Sequence, residues 1–258
     1  MSLPLFEDDL AEGGLISGRD LHRRGADVPA LAVVCFFHEV LERLATAGEL
    51  VERYRLRSEL GVNPVYVMEV EGRALTVTHP GVGAPLAVGV TEELVALGVR
   101  TLVACGGAGA LVARELGHVM VVDSALRDEG TSFHYAAPSR VIDADPLGVR
   151  LAAETLEHLG VPHEVGRTWT TDALFRETPS RIARRIAEGC AMVDMESSAF
   201  IAATRFLNVR FAQLLYAGDS LAGESWDPRR WVRAGDVREG LLRAAARVAL
   251  ALDDAPRG

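Results

Sequence analysis

Apolar and polar positions divide the chain into two alternating kinds of segment. Short runs rich in Val, Leu and Ala, bounded by Gly, Pro or charged residues, predict strands over 31–36, 65–70, 74–78, 101–105, 119–124, 164–168, 191–194 and 209–216. Longer stretches with apolar residues at helical spacing predict helices over 38–47, 85–97, 146–159, 179–188, 195–206 and 233–252. The alternation implies an α/β fold whose largely parallel sheet is covered by helices. No linker of Pro, Gly or Ser interrupts it, so one domain is expected over 29–258, preceded by an N-terminal extension at 1–28.

Composition narrows the functional classes. With 258 residues the chain can bury a substantial core. No apolar run approaches the roughly 18 residues of a membrane-spanning helix, and the start, Met1 to Asp9, is acidic. A cytoplasmic protein with no membrane partner is expected. Cys35, Cys105 and Cys190 lie in apolar surroundings without metal-ligand spacing, so reduced thiols and no metal are expected. Net charge is −9, and every basic residue is Arg. The lack of Lys excludes a Schiff-base lysine and a P-loop lysine. The acidic balance argues against nucleic acid as a partner. An anion bound here must be held by arginine, hydroxyls or backbone amides.

Candidate chemistry lies in a colinear set of segments between residues 74 and 220. A strand-like run enters the glycine turn His79-Pro80-Gly81-Val82-Gly83-Ala84-Pro85, which opens a helix. Glycines let the backbone approach an anion, and a helix start offers free N–H groups. Arg100 to Leu111 joins a buried strand to a glycine-rich loop, followed by Ala125 to Ser132 and by Trp169 to Phe175. Val193-Asp194-Met195-Glu196 is an acidic helix start, and Ala217-Gly218-Asp219-Ser220 places an isolated acid at a strand end. Taken singly, these acids suit ordinary helix capping and turns.

In this order, the segments resemble those of the nucleoside phosphorylase and nucleosidase superfamily. The resemblance implies a phosphorylase/hydrolase-like three-layer α/β/α sandwich with a mixed central sheet. It also implies cleavage of a nucleoside N-glycosidic bond. That reaction builds positive charge on the sugar and negative charge on the base, so a catalyst must serve both ends. The resemblance gives Asp219 the purine N7, where burial would help a carboxyl hold its proton. It gives Asp194, Met195 and Glu196 the ribose, with Met195 as a soft apolar floor. Gly106, Trp169, Leu174, Phe175 and Arg176 fall to the base, although such aromatics also suit a plain core. Gly81, Gly83, Gly107 and Arg127 fall to a phosphate or nucleophile site.

The departures bear on mechanism. The family's G-D-P-x-R segment is replaced by Cys35-Phe36-Phe37-His38-Glu39-Val40-Leu41-Glu42, its loop arginine falls at Ala104, and its Thr or Ser falls at Gly107. Phosphorolysis would need a rebuilt arginine site, with phosphate as co-substrate and no other cofactor. Hydrolysis would need a base, for which Glu39 beside His38 is the candidate, although this pair also reads as an ordinary helix start. A non-catalytic nucleoside-binding protein is the reading from another class. Purine is favoured because Asp219 matches the N7-serving position. A uridine-directed phosphorylase is the alternative, but the Gln and Arg pair of such enzymes is not evident near Arg176. The resemblance further implies a homodimer or trimer of dimers, with Arg53, Arg55 and Arg57 available to a neighbour's site.

Overall fold

A computed structural model describes residues 3–7, 9–22, 28–230 and 234–256. Strand β1 (Leu31–Cys35) is buried along its whole length and sends alternate side chains to opposite faces of the sheet. Leu31, Val33 and Cys35 join a core with α2 (His38–Thr46), α4 (Pro146–His158) and α7 (Gly235–Asp254). Ala32 and Val34 join a second core with α3 (Ala84–Ala96) and α6 (Ser197–Phe206). A helical layer therefore covers each face. The continuous apolar run at 31–35 is what a strand buried on both sides requires.

The remaining strands are β2 (Val51–Ser58), β3 (Gly61–Val70), β4 (Arg73–Thr78), β5 (Thr101–Ala110), β6 (Val119–Asp128), β7 (Val141–Asp143), β8 (His163–Thr171), β9 (Cys190–Asp194) and β10 (Arg210–Ser220). They form a ten-stranded mixed sheet in the order β10-β6-β8-β9-β5-β1-β4-β3-β2, with β7 on β6. Strand β5 pairs in parallel with β1 and β10 and then, at Gly109 and Ala110, antiparallel with β9. One side of the sheet thus closes into a ring through β10, β6, β8 and β9. The mixed α/β architecture implied by the resemblance is present.

Several boundaries differ from the expectation. The glycine-rich segment after 105 is strand rather than loop, because β10 continues to pair with β5 through Ala108 and again at Ala110. The mostly exposed β2 has one buried residue, Leu56, which leaves little apolar alternation to detect. The expected start of the last helix at 233 lies outside the described residues, and the described helix begins at Gly235. Within the N-terminal stretch, the short helix α1 (Gly18–Leu21) packs on α3. His22 beside it lies 3.3 Å from Glu93 and 3.2 Å from the Tyr54 hydroxyl.

Candidate active site

The C-terminal halves of β5 and β10 meet at a cavity of about 550 Å³. Gly106, Gly107, Ala108 and Gly109 line it from β5, and Leu215, Tyr216, Gly218 and Asp219 from β10. The glycines are required by close approach. A Cβ on Gly106 would lie 3.0 Å from the Phe36 ring, and one on Gly107 would lie 3.2 Å from the Tyr216 ring. At Gly109 it would come within 2.8 Å of Leu221 and 3.5 Å of Asp219 Oδ1. The strand is bare so that aromatic walls and an acid can close on it.

Asp194, Met195 and Glu196 enter the same cavity between β9 and α6. Burial pushes both carboxyl groups up, and Glu196 reaches about 8 with the charge of Asp194 as the second cause. The two acids have different partners. Asp194 Oδ2 accepts the N–H of Ser197 at 2.7 Å, the N–H of Glu196 at 3.2 Å and the Ser197 hydroxyl. Its Oδ1 accepts the Thr170 hydroxyl at 2.9 Å. These bonds hold Asp194 against the start of α6, and it lines the cavity beside Glu196. Glu196 Oε1 accepts one backbone N–H, that of Gly83 at 2.6 Å. Glu196 is therefore the acid with capacity left for a sugar hydroxyl.

Asp219, near the end of β10, lines the same cavity. Its Oδ2 accepts the indole N–H of Trp226 at 2.6 Å. Leu174 and Phe175, on the 3-10 turn after β8, line the wall, with Phe175 92% exposed at the rim. The next residue, Glu177, also lines the cavity, and its carboxyl is pushed up to about 7, first by burial and then by the charge of Asp219. Neither Glu177 nor Trp226 is distinguished by a motif.

Other expected residues lie elsewhere. Trp169 is fully buried among Leu111, Leu126, Cys190 and Val193, donates its indole N–H to Asp128 at 3.0 Å and stacks under the Arg185 guanidinium. It is core, as a large apolar ring on a central strand favours. Arg127 is buried with its guanidinium donating to Ser132, Ala136, Ala137 and Ser139, so it holds the segment after β6 rather than an anion. Arg176 is exposed and absent from the cavity wall. Gly81 faces a neighbouring groove with Leu60, Val62 and Leu86, and the Gly83 amide is already used by Glu196. Glu39 is half exposed, pairs with Arg238 and does not line the cavity, because α2 turns it toward α7.

Arg238, near the start of α7, is the only Arg on the cavity wall among the described residues. It is buried, paired with Glu39, and set 4.8 Å from the centre of the Phe37 ring. No signal in the helical pattern of 235–254 marks it. Among the described residues no group of three His, Cys, Asp or Glu side chains could hold a metal ion, and no helix is long and apolar enough to cross a membrane.

A mixed sheet with helices on both faces thus carries a strand-end cavity lined by several acids. The family model described as the phosphorylase superfamily matches residues 30–254, and the chain belongs to that superfamily. A uridine phosphorylase of Thermococcus kodakarensis is 36% identical over 107 residues, covering 41% of this chain and 38% of that one. A guanosine phosphorylase of Halorubrum lacusprofundi is 30% identical over 168 residues, covering 61% and 68%. The chain spans 38% and 43% of the length of the Thermococcus and Salmonella typhimurium uridine phosphorylases that it matches. The crystal structure of purine nucleoside phosphorylase from Toxoplasma gondii in complex with immucillin-H superposes with a TM-score of 0.72 at 19% identity, covering 89% of this chain and 94% of that one. Uridine phosphorylase from Vibrio fischeri, complexed with 6-hydroxy-1-naphthoic acid, gives 0.70 at 23%, covering 87% and 91%. These two likenesses establish the fold.

Proposed function

We propose that this protein cleaves the N-glycosidic bond of a purine nucleoside, with water as the nucleophile. The observation that carries the reading is one cavity lined by Glu196, Asp219 and Glu177. Such a site can hold a sugar hydroxyl while serving the departing base. Purine is favoured because its N7 accepts a proton as the bond breaks, and the cavity offers carboxyl groups there. The similarity to a guanosine phosphorylase supports this choice, whereas the similarity to uridine phosphorylases supports a pyrimidine.

The nucleophile assignment rests on the electrostatics of the wall. Phosphate sites use charge-assisted, often bidentate contacts from arginine. Here the one wall guanidinium among the described residues already has Glu39 as a counter-ion, the Gly83 amide serves Glu196, and Arg127 is satisfied locally. A dianion would have to displace a carboxylate. Phosphorolysis is the second reading, favoured by the names of the relatives and by the presence of Arg238. Base release measured across a nucleoside panel, with and without phosphate, separates the two. Tight binding without turnover in either condition would instead favour a binding protein.

Assembly as a homodimer or trimer of dimers belongs to the same proposal. Leu60, Val62 and Val82 are exposed around the groove beside the site, which suits burial against a second copy. Light scattering tests it, and a strict monomer with full activity would refute it. We further propose that the protein is cytoplasmic, that it uses no cofactor, and that residues 1–28 are an extension to a single domain.

A further inference from the structure

We propose that Glu177, rather than Asp219, is the acid that protonates the leaving base, with Asp219 acting as the anionic partner that orients the same edge. The inference rests on the nucleoside-cleaving reading above and names the proton donor within it. Asp219 and Glu177 share the cavity wall with the rim residues Leu174 and Phe175. They differ in what they accept. Asp219 takes the Trp226 indole N–H at 2.6 Å, which occupies one of its oxygens and fixes the carboxylate in place. Burial and the facing Asp219 charge act on Glu177, holding its proton up to about pH 7. Two carboxyls in one pocket with different partners can divide the work between a proton donor and an acceptor. Among the described residues the other ionisable side chains on this cavity wall are Asp194, Glu196, Tyr216 and Arg238. Burial of Glu177 remains the largest influence on it.

The step balances without an added reagent. As the C1′–N9 bond breaks, its electron pair passes into the imidazole ring of the purine. The O–H of Glu177 transfers its proton to N7, so the base leaves neutral and Glu177 becomes a carboxylate. Water forms the new bond to C1′ and loses a proton to solvent, while Glu177 recovers one. Glu177 is on the short turn Leu174–Arg176 and its C-cap, a segment with no repeat or glycine pattern, which explains why no motif points to it.

The test compares Glu177→Gln with the unmodified protein on two substrates. An ordinary purine nucleoside needs the proton, whereas a 7-methylated purine nucleoside already carries positive charge on the ring and leaves without one. Gln preserves shape and hydrogen bonding but cannot donate an acidic proton. Turnover of the ordinary nucleoside should fall by roughly the 10²–10⁴ of a lost general acid, with turnover of the methylated one retained. The unmodified protein should lose kcat on the ordinary substrate as pH rises through about 7, and the variant should lose that limb. Equal loss on both substrates, no loss on either, or an unchanged pH limb in the variant would overturn the assignment. An unmodified protein that releases base from no nucleoside would instead overturn the proposed function.

Discussion

Trp226 donates its indole N–H to Asp219 Oδ2 at 2.6 Å, tying the segment after β10 to the acid at the end of that strand. Trp226 is 59% exposed, so this bond and not packing is its main contribution. Trp226→Phe keeps the ring and removes the donor. We expect a fold of unchanged stability and a KM for nucleoside raised by about 3- to 10-fold, the scale of one partly screened hydrogen bond to a charged group. A steady-state comparison checks this, and an unchanged KM would separate Trp226 from the site.

Trp169 makes the opposite case. It is enclosed by Leu111, Leu126, Cys190 and Val193 and bonded to Asp128. Trp169→Phe should lower stability by about 1–3 kcal/mol, through lost volume and one lost buried hydrogen bond, and leave kcat/KM within error of the parent. Denaturant titration alongside kinetics decides it. A selective loss of nucleoside affinity at normal stability would return Trp169 to the base site.

Burial of Glu196 also predicts a pH dependence of stability. Its folded carboxyl is pushed from 4.5 up to about 8, so between those values the native state holds more protons than the unfolded chain. Stability must then fall as pH rises through that window and level off above it. Glu177 contributes in the same direction up to about pH 7. Tm should be higher at the acidic end of this window than above it, and Glu196→Gln should shrink the fall without abolishing it. An equal fall in the variant would place the proton elsewhere.

Which parts of the site were legible in the sequence follows from how locally each is determined. The Asp194-Met195-Glu196 helix start and the Asp219 strand end are contiguous motifs on strongly patterned elements, and the fold delivers both to one cavity. Glycines 106, 107 and 109 were visible as a run, but only the pairing of β5 with β10 makes them strand. Their bareness serves Phe36, Tyr216 and Leu221, residues far away in the chain. Arg238, Glu177 and Trp226 reach the cavity through tertiary packing, from a helix face, a short turn and a loop without local pattern. Trp169 and Arg127 misled because an aromatic on a strand and an arginine after one look alike whether they face a ligand or the interior. For Arg127 the difference is its set of local oxygen acceptors, which sequence does not display.

The most direct test of the central claim is the release of free base from a panel of purine and pyrimidine nucleosides, followed chromatographically at zero and at millimolar phosphate. Purine base and free ribose are expected at comparable rates in both conditions. Arg238, the guanidinium on the wall among the described residues, is already paired with Glu39 and offers phosphate little hold. Base release that requires phosphate, saturates with it and yields a sugar phosphate would contradict the account.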